Sequence, residues 1–157
     1  MAESPIPPLT AASFSMSRTR EQVIWDFVQE WMRKAEGDLR AAEHLLALEQ
    51  QDYFTAAFHA QQAAEKFLKA FLVRHQVPFG KTHDIQELVD LAGTRDASLK
   101  RELASAEALT PFGVEFRYPG DQVADLQTAE HAVEEARRVR AAVLAHLQNY
   151  LSRGRPA

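Results

Sequence analysis

Arg140 and His146 stand six positions apart near the end of this 157-residue chain, and if they converge the pair is chemically sufficient for metal-free cleavage of RNA. A histidine moves the proton of a 2′-hydroxyl or of a leaving group, while a permanently charged, forked guanidinium holds the charge that builds on the phosphorane oxygens. Six positions on a helix turn through about 600°, leaving the two side chains some 120° apart on its surface. Convergence therefore needs the long reach of Arg140, a local distortion, or a second copy of the helix supplied by a two-fold partner. The plainer alternative has Arg140 snorkelling to the edge of a bundle to pair with a carboxylate, with His146 half exposed.

A second group of chemical residues lies earlier in the chain. Thr55, His59, Gln62, Lys66 and Lys69 recur at steps of four and three, so they share one face of a helix, with Gln61 and Glu65 at its edge. Such a strip offers a basic, hydrogen-bonding groove for a nucleotide phosphate or an RNA backbone; the more common role of such a strip is as the solvated side of an otherwise apolar helix. His83 directly precedes Asp84, a helix-capping residue, where an anion would meet both imidazole and free backbone N–H groups. Its structural alternative is packing over the first helical turn. Arg117 and Tyr118, in an Arg-Tyr-Pro turn, form a further candidate contact, the arginine otherwise pairing with the acidic stretch around it. Six histidines without an H-x-x-x-H pair give little support to a metal site, and no cofactor is implied.

Composition narrows what can hold these residues. One ordinary domain is indicated, with 46% hydrophobic and 25% charged side chains. The lack of cysteine excludes thiolate catalysis, disulfides and cysteine-bound metals, and fits a reducing, cytoplasmic setting. Six scattered glycines form no phosphate-cradling loop. No apolar run approaches the roughly 20 residues of a membrane span. The net charge of −4 is unevenly spread: residues 61–83 and 131–157 each carry +3, against −4 for 1–60 and −6 for 84–130. Indiscriminate nucleic-acid binding is thereby disfavoured, while two positive segments remain free to converge on one site.

The elements read as helices throughout. Residues 1–20, rich in Ser and Pro, form a flexible leader without the pattern of a secretory signal; 21–152 form the domain and 153–157 a tail. Ile24, Val28, Trp31 or Met32, Ala35, Leu39, Ala42 and Leu46 mark a first amphipathic helix. Asp52 caps a second, Tyr53 to about His75, whose apolar residues cover most of its circumference and make it central. Asp84 with Glu87 opens a short third helix ended by Gly93. Leu99, Leu103, Ala106 and Leu109 give a fourth, stopped by Pro111. The last, about Asp125 to Leu151, carries a seam of Leu126, Ala129, Val133, Ala136, Arg140, Val143, Leu147 and Tyr150. The expected architecture is all-α: an up-and-down antiparallel bundle of four to five helices.

Four ordered motifs resemble the HEPN domain of prokaryotes: Trp31-Met-Arg-Lys-Ala-Glu-Gly-Asp-Leu-Arg-Ala-Ala, Ala60-Gln-Gln-Ala-Ala-Glu-Lys-Phe-Leu-Lys-Ala-Phe-Leu, Thr82-His-Asp-Ile-Gln-Glu-Leu and Arg117-Tyr-Pro. The resemblance runs from about Trp31 to Leu151. It implies a helical bundle that usually dimerises and a role in nucleotide or RNA transactions, often as the toxin beside a minimal nucleotidyltransferase antidote. Active HEPN ribonucleases carry Arg, four to six residues, then His, a pattern met by Arg140 and His146. The chain departs in having Ala141 where a polar residue commonly follows the arginine, and Gln148 where one toxin subgroup has tyrosine. A non-catalytic nucleotide-binding or adaptor module working with a partner nucleotidyltransferase is the alternative implied.

Overall fold

A computed structural model describes residues 17–49, 52–113 and 124–157. It contains α1 (Arg20–Ala47), α2 (Tyr53–Arg74), α3 (Ile85–Gly93), α4 (Ala97–Glu102), a 3-10 helix (Ala104–Gly113) and α5 (Leu126–Arg153), with no strand among the described residues. This is the all-α bundle expected. Thr19 opens α1 with a capping box shared with Gln22, so the helix begins one residue ahead of the domain start drawn from sequence. Asp52, Asp84 and Asp125 cap α2, α3 and α5 through their carboxylates.

The core forms where these faces meet. α2 lies at the centre, packed against α1 and α5, and Phe67, Leu68, Phe71 and Leu72 are buried on it. Burial of each such side chain contributes about 1.5–3 kcal/mol. Ion pairs joining Arg155 to Asp26, Arg140 to Glu36 and Arg137 to Glu43 show that α5 runs antiparallel to α1. Met32 rather than Trp31 enters the core of α1, and Trp31 packs at its edge against Phe79.

Two expectations change. The fourth helix is split: α4 ends at Glu102, and the chain continues as a 3-10 helix that contains Pro111 instead of stopping there. Leu103 is buried at the cap of α4, and the tighter 3-10 helix still points Ala106 and Leu109 inward, so the apolar spacing is met without one continuous α-helix. The α5 seam also shifts. Its buried stripe passes through Val139, Ala142 and Val143, and leaves Leu126 exposed and Arg140 beside the core rather than in it. Gly113 has a packing reason: a Cβ there would stand 3.0 Å from Gln61 Nε2.

Candidate functional site

The polar residues of α2 face inward. Gln61, Glu65 and Lys69, one helical turn apart from each other, are buried, and the loop before α3 lies over them. Lys69 Nζ donates to Glu65 Oε1 at 2.6 Å and to the carbonyl of Thr82 at 3.3 Å, with the rings of Trp31 and Phe79 at 5.5 and 5.7 Å. Gln61 Nε2 donates to Glu65 Oε2 at 3.2 Å and to the His83 carbonyl at 3.1 Å. The imidazole of His83 donates from Nδ1 to Glu65 Oε2 at 3.0 Å. Burial disfavours the charge on Glu65 most, yet Lys69, with His83 and Gln61, outweighs it and holds the carboxyl below the usual glutamate range.

A second cluster continues from this one. Asp38 of α1 accepts from His59 Nδ1 at 2.9 Å and from the ammonium of Lys66. Lys66 reaches Gln62 at 3.5 Å, and Gln62 donates to Gln61 Oε1 at 2.7 Å. Thus the expected residues His59, Gln62, Lys66, Lys69 and His83 belong to one continuous polar chain. Within it, Asp38 takes both His59 and Lys66, and Glu65 takes both Lys69 and His83, so its two lysines are neutralised by two carboxylates.

The end of this chain opens on a cleft of about 630 Å³ between the loop and α3, lined by Phe79, Lys81, Thr82, His83, Glu87 and Leu91 among others. Asp84 Oδ1 caps α3, while Thr82 Oγ1 donates to Glu87 and accepts from the Asp84 N–H. Glu87 thus bonds Thr82 and not the backbone of the cap. With Nδ1 committed to Glu65 and its side chain 66% exposed, His83 presents Nε2 outward.

The pair near the chain's end is not brought together in this way. Arg140, its side chain 41% exposed, donates from Nε to Glu36 Oε1 of α1 at 2.7 Å. This is the edge-seeking alternative, and it corrects the placement of Arg140 in an apolar seam. His146 sits between Asp96 Oδ2 at 2.8 Å from Nδ1 and Glu102 Oε2 at 3.3 Å from Nε2. The Ser98 hydroxyl, assisted by the Ser98 and Leu99 N–H groups and by His146, outweighs desolvation and pushes Asp96 down to about 2. Arg140 and His146 are therefore held by opposite neighbours, α1 and α4. Arg117 and Tyr118 lie outside the described residues.

Sequence reading placed Gln61 and Glu65 at the edge of a solvated strip; they are its buried centre. Their spacing with Lys69, at four-residue steps on a helix apolar almost all round, was the available signal. Asp38 carried none, because its pairing depends on how α1 meets α2. Among the described residues no group of His, Asp and Glu is arranged to hold a metal, and no helix is long and apolar enough to cross a membrane.

The model of the HEPN domain family matches residues 28–147. The crystal structure of TT1696 from Thermus thermophilus is similar at 31% sequence identity and a TM-score of 0.59, over 74% of this chain and 94% of that one. Comparison with curated proteins gives no match. With a family model spanning most of its bundle, the chain belongs to the HEPN family, to which a nucleotide- or RNA-related role attaches.

Proposed function

We propose that this protein is a nucleotide-binding HEPN module whose ligand sits in the cleft between the α2–α3 loop and α3. The observation that carries the reading is the buried Glu65 carboxylate, which holds His83 by Nδ1 and leaves Nε2 outward, at a cleft that Phe79 also lines. An oriented imidazole gives a donor or acceptor in a set place, and an aromatic ring in the same cleft offers a face for a base. Lys66 and His59 support the same network from behind. Calorimetry with AMP, GMP, CMP and UMP tests it. Binding to the wild type, weakened at least tenfold in His83→Ala and measurably in Lys66→Ala, is expected. Absence of heat at millimolar nucleotide would end the reading.

A second reading has its own observation. The Arg140–His146 spacing, with Asp96 orienting the His146 ring, favours metal-independent RNA cleavage by a homodimer, the toxin half of a pair with a nucleotidyltransferase. His146 would serve as acid or base and Arg140 would sit on the scissile phosphate. Equal RNA cleavage by the wild type and His146→Ala would remove these assignments. Sedimentation at high concentration showing only a 17.7 kDa species would remove the dimer.

A further inference from the structure

The cations of the α2 strip are matched by carboxylates, and the surplus positive charge lies elsewhere. At the end of the bundle where α1 begins and α2 and α5 finish stand Arg18, Arg20, Arg74, Arg153 and Arg155, and the ion pairs they make among the described residues go to two side-chain carboxylates, Glu21 and Asp26. Asp26 is shared: Arg155 grips both its oxygens at 3.0 and 3.1 Å, and Arg18 meets one at 3.0 Å. Gly154, at φ 74°, turns the chain out of α5 so that Arg155 reaches back to α1, and Gln22 fastens the tail by donating to the Pro156 carbonyl. Among the described residues Arg20 bonds the neutral Gln76, and Arg74 is 3.9 Å from Glu21. Between α1 and the tail lies a cleft of about 490 Å³ lined by Ser17, Arg18, Gln22 and Arg155.

We propose that this arginine-rich end docks the phosphodiester backbone of single-stranded nucleic acid. Three observations select that partner. The cations are all guanidiniums, which fork onto phosphate oxygens. Arg74 lies over Tyr150, 4.1 Å from the ring centroid, and the Trp25 ring stands against Tyr150 at 5.2 Å, tilted by 58°, so guanidinium and aromatic faces lie together where an unpaired base would meet them. Finally, the exposed large apolar side chains among the described residues, Leu48 and Leu126, sit at the opposite end of α1 and α5, while Trp25 and Tyr150 at this end are partly buried, so the described residues offer a lipid surface little to bury here. Its cleft shares no lining residue with the His83 cleft, and its test does not depend on nucleotide binding there.

The test is fluorescence anisotropy of a labelled twelve-nucleotide oligouridylate with the full chain. If three phosphates are engaged, affinity falls about twentyfold between 50 and 200 mM salt, from a slope of about 0.7 per phosphate on single strands. Arg18→Gln combined with Arg155→Gln is expected to weaken binding at least tenfold and flatten that slope. Arg153→Gln touches no ion pair among the described residues, and so reports on charge alone; a loss of about threefold is expected. Arg33→Gln, on the exposed middle of α1, should bind like wild type. Affinity unmoved by salt, or equal in wild type and all arginine variants, overturns the proposal. So does binding to phosphatidylserine vesicles without binding to the oligonucleotide.

Discussion

Replacing Lys69 by Met separates a buried charge pair from a merely polar core. The Lys69 and Glu65 side chains are 8% and 4% exposed, and their charged atoms stand 2.6 Å apart. Met keeps the aliphatic length beside Trp31 and Phe79 but leaves Glu65 ionised with only His83 and Gln61. Breaking a buried pair in this way costs about 3–5 kcal/mol. For a domain of this length each kcal/mol shifts the midpoint by about 2–4 °C, so thermal unfolding is expected about 10 °C lower. The pH dependence supplies the sign. In wild type the Glu65 pKa is depressed on folding, so its stabilisation is present above the unfolded value and is lost as pH falls through the folded one. Without Lys69 the largest opposing influence, desolvation, prevails, the carboxyl titrates higher, and acid neutralises it. The deficit of Lys69→Met relative to wild type should shrink as pH is lowered from 7 to 4. A double variant, Lys69→Met with Glu65→Leu, should recover most of the loss, a coupling above about 2 kcal/mol. Urea unfolding of the four proteins at both pH values measures all of this. Additive single losses, or a deficit that grows with acid, would refute the buried-pair argument.

Burial lowers the pKa of His75, helped by Arg95 and Arg74, so its stabilisation is full above the unfolded value and is lost as pH falls through the folded one. Proton NMR should find its midpoint below that of a free histidine, and His75→Phe should lessen the loss of stability on acidification below pH 6.5. Gly113→Ala forces Gln61 away from a Cβ at 3.0 Å and is expected to cost about 1–3 kcal/mol in denaturant melts, the range for overpacking. Arg140→Gln removes a pair with one partner 41% and the other 30% exposed, and should change stability by less than about 1 kcal/mol; a loss above about 2 kcal/mol would return Arg140 to the core.

The helices were legible because each signal was local. Asp52 and Asp84 announce their caps by type and position, and the apolar steps of three and four in α1 and α2 are set by the residues themselves. Periodicity cannot distinguish an α-helix from a 3-10 turn over a few residues, so the break at Leu103 went unread. Nor does a heptad seam say which of Val139 and Arg140 faces inward, since that depends on the rotation of α5 against α2 and α1. His83 was legible as a candidate, but its partner Glu65 stands 18 positions away, and only the fold brings the loop over α2.

The placement of Arg140 and His146 ties the ribonuclease reading to the oligomeric state. Along α5 six residues rise about 9 Å and separate the two by about 120°, and Glu36 and the Asp96–Glu102 pair draw them further toward different neighbours. The two nitrogens of His146 both act as donors only when the ring carries both protons, and in that state no lone pair remains to take a proton from a hydroxyl. General-base work therefore requires that Glu102, the longer contact at 3.3 Å, be released. A second copy packed against this face is one source of such rearrangement, and it would also bring another Arg140 toward the His146 it lacks within its own chain. If the second copy is that source, cleavage requires the dimer. RNA cleavage per chain should vanish on dilution below the dimer dissociation constant, and Glu102→Gln, which weakens the grip on Nε2, should raise it. Activity that persists in a strictly monomeric protein would show that this geometry rearranges within one chain, against the separation of Arg140 and His146 described above.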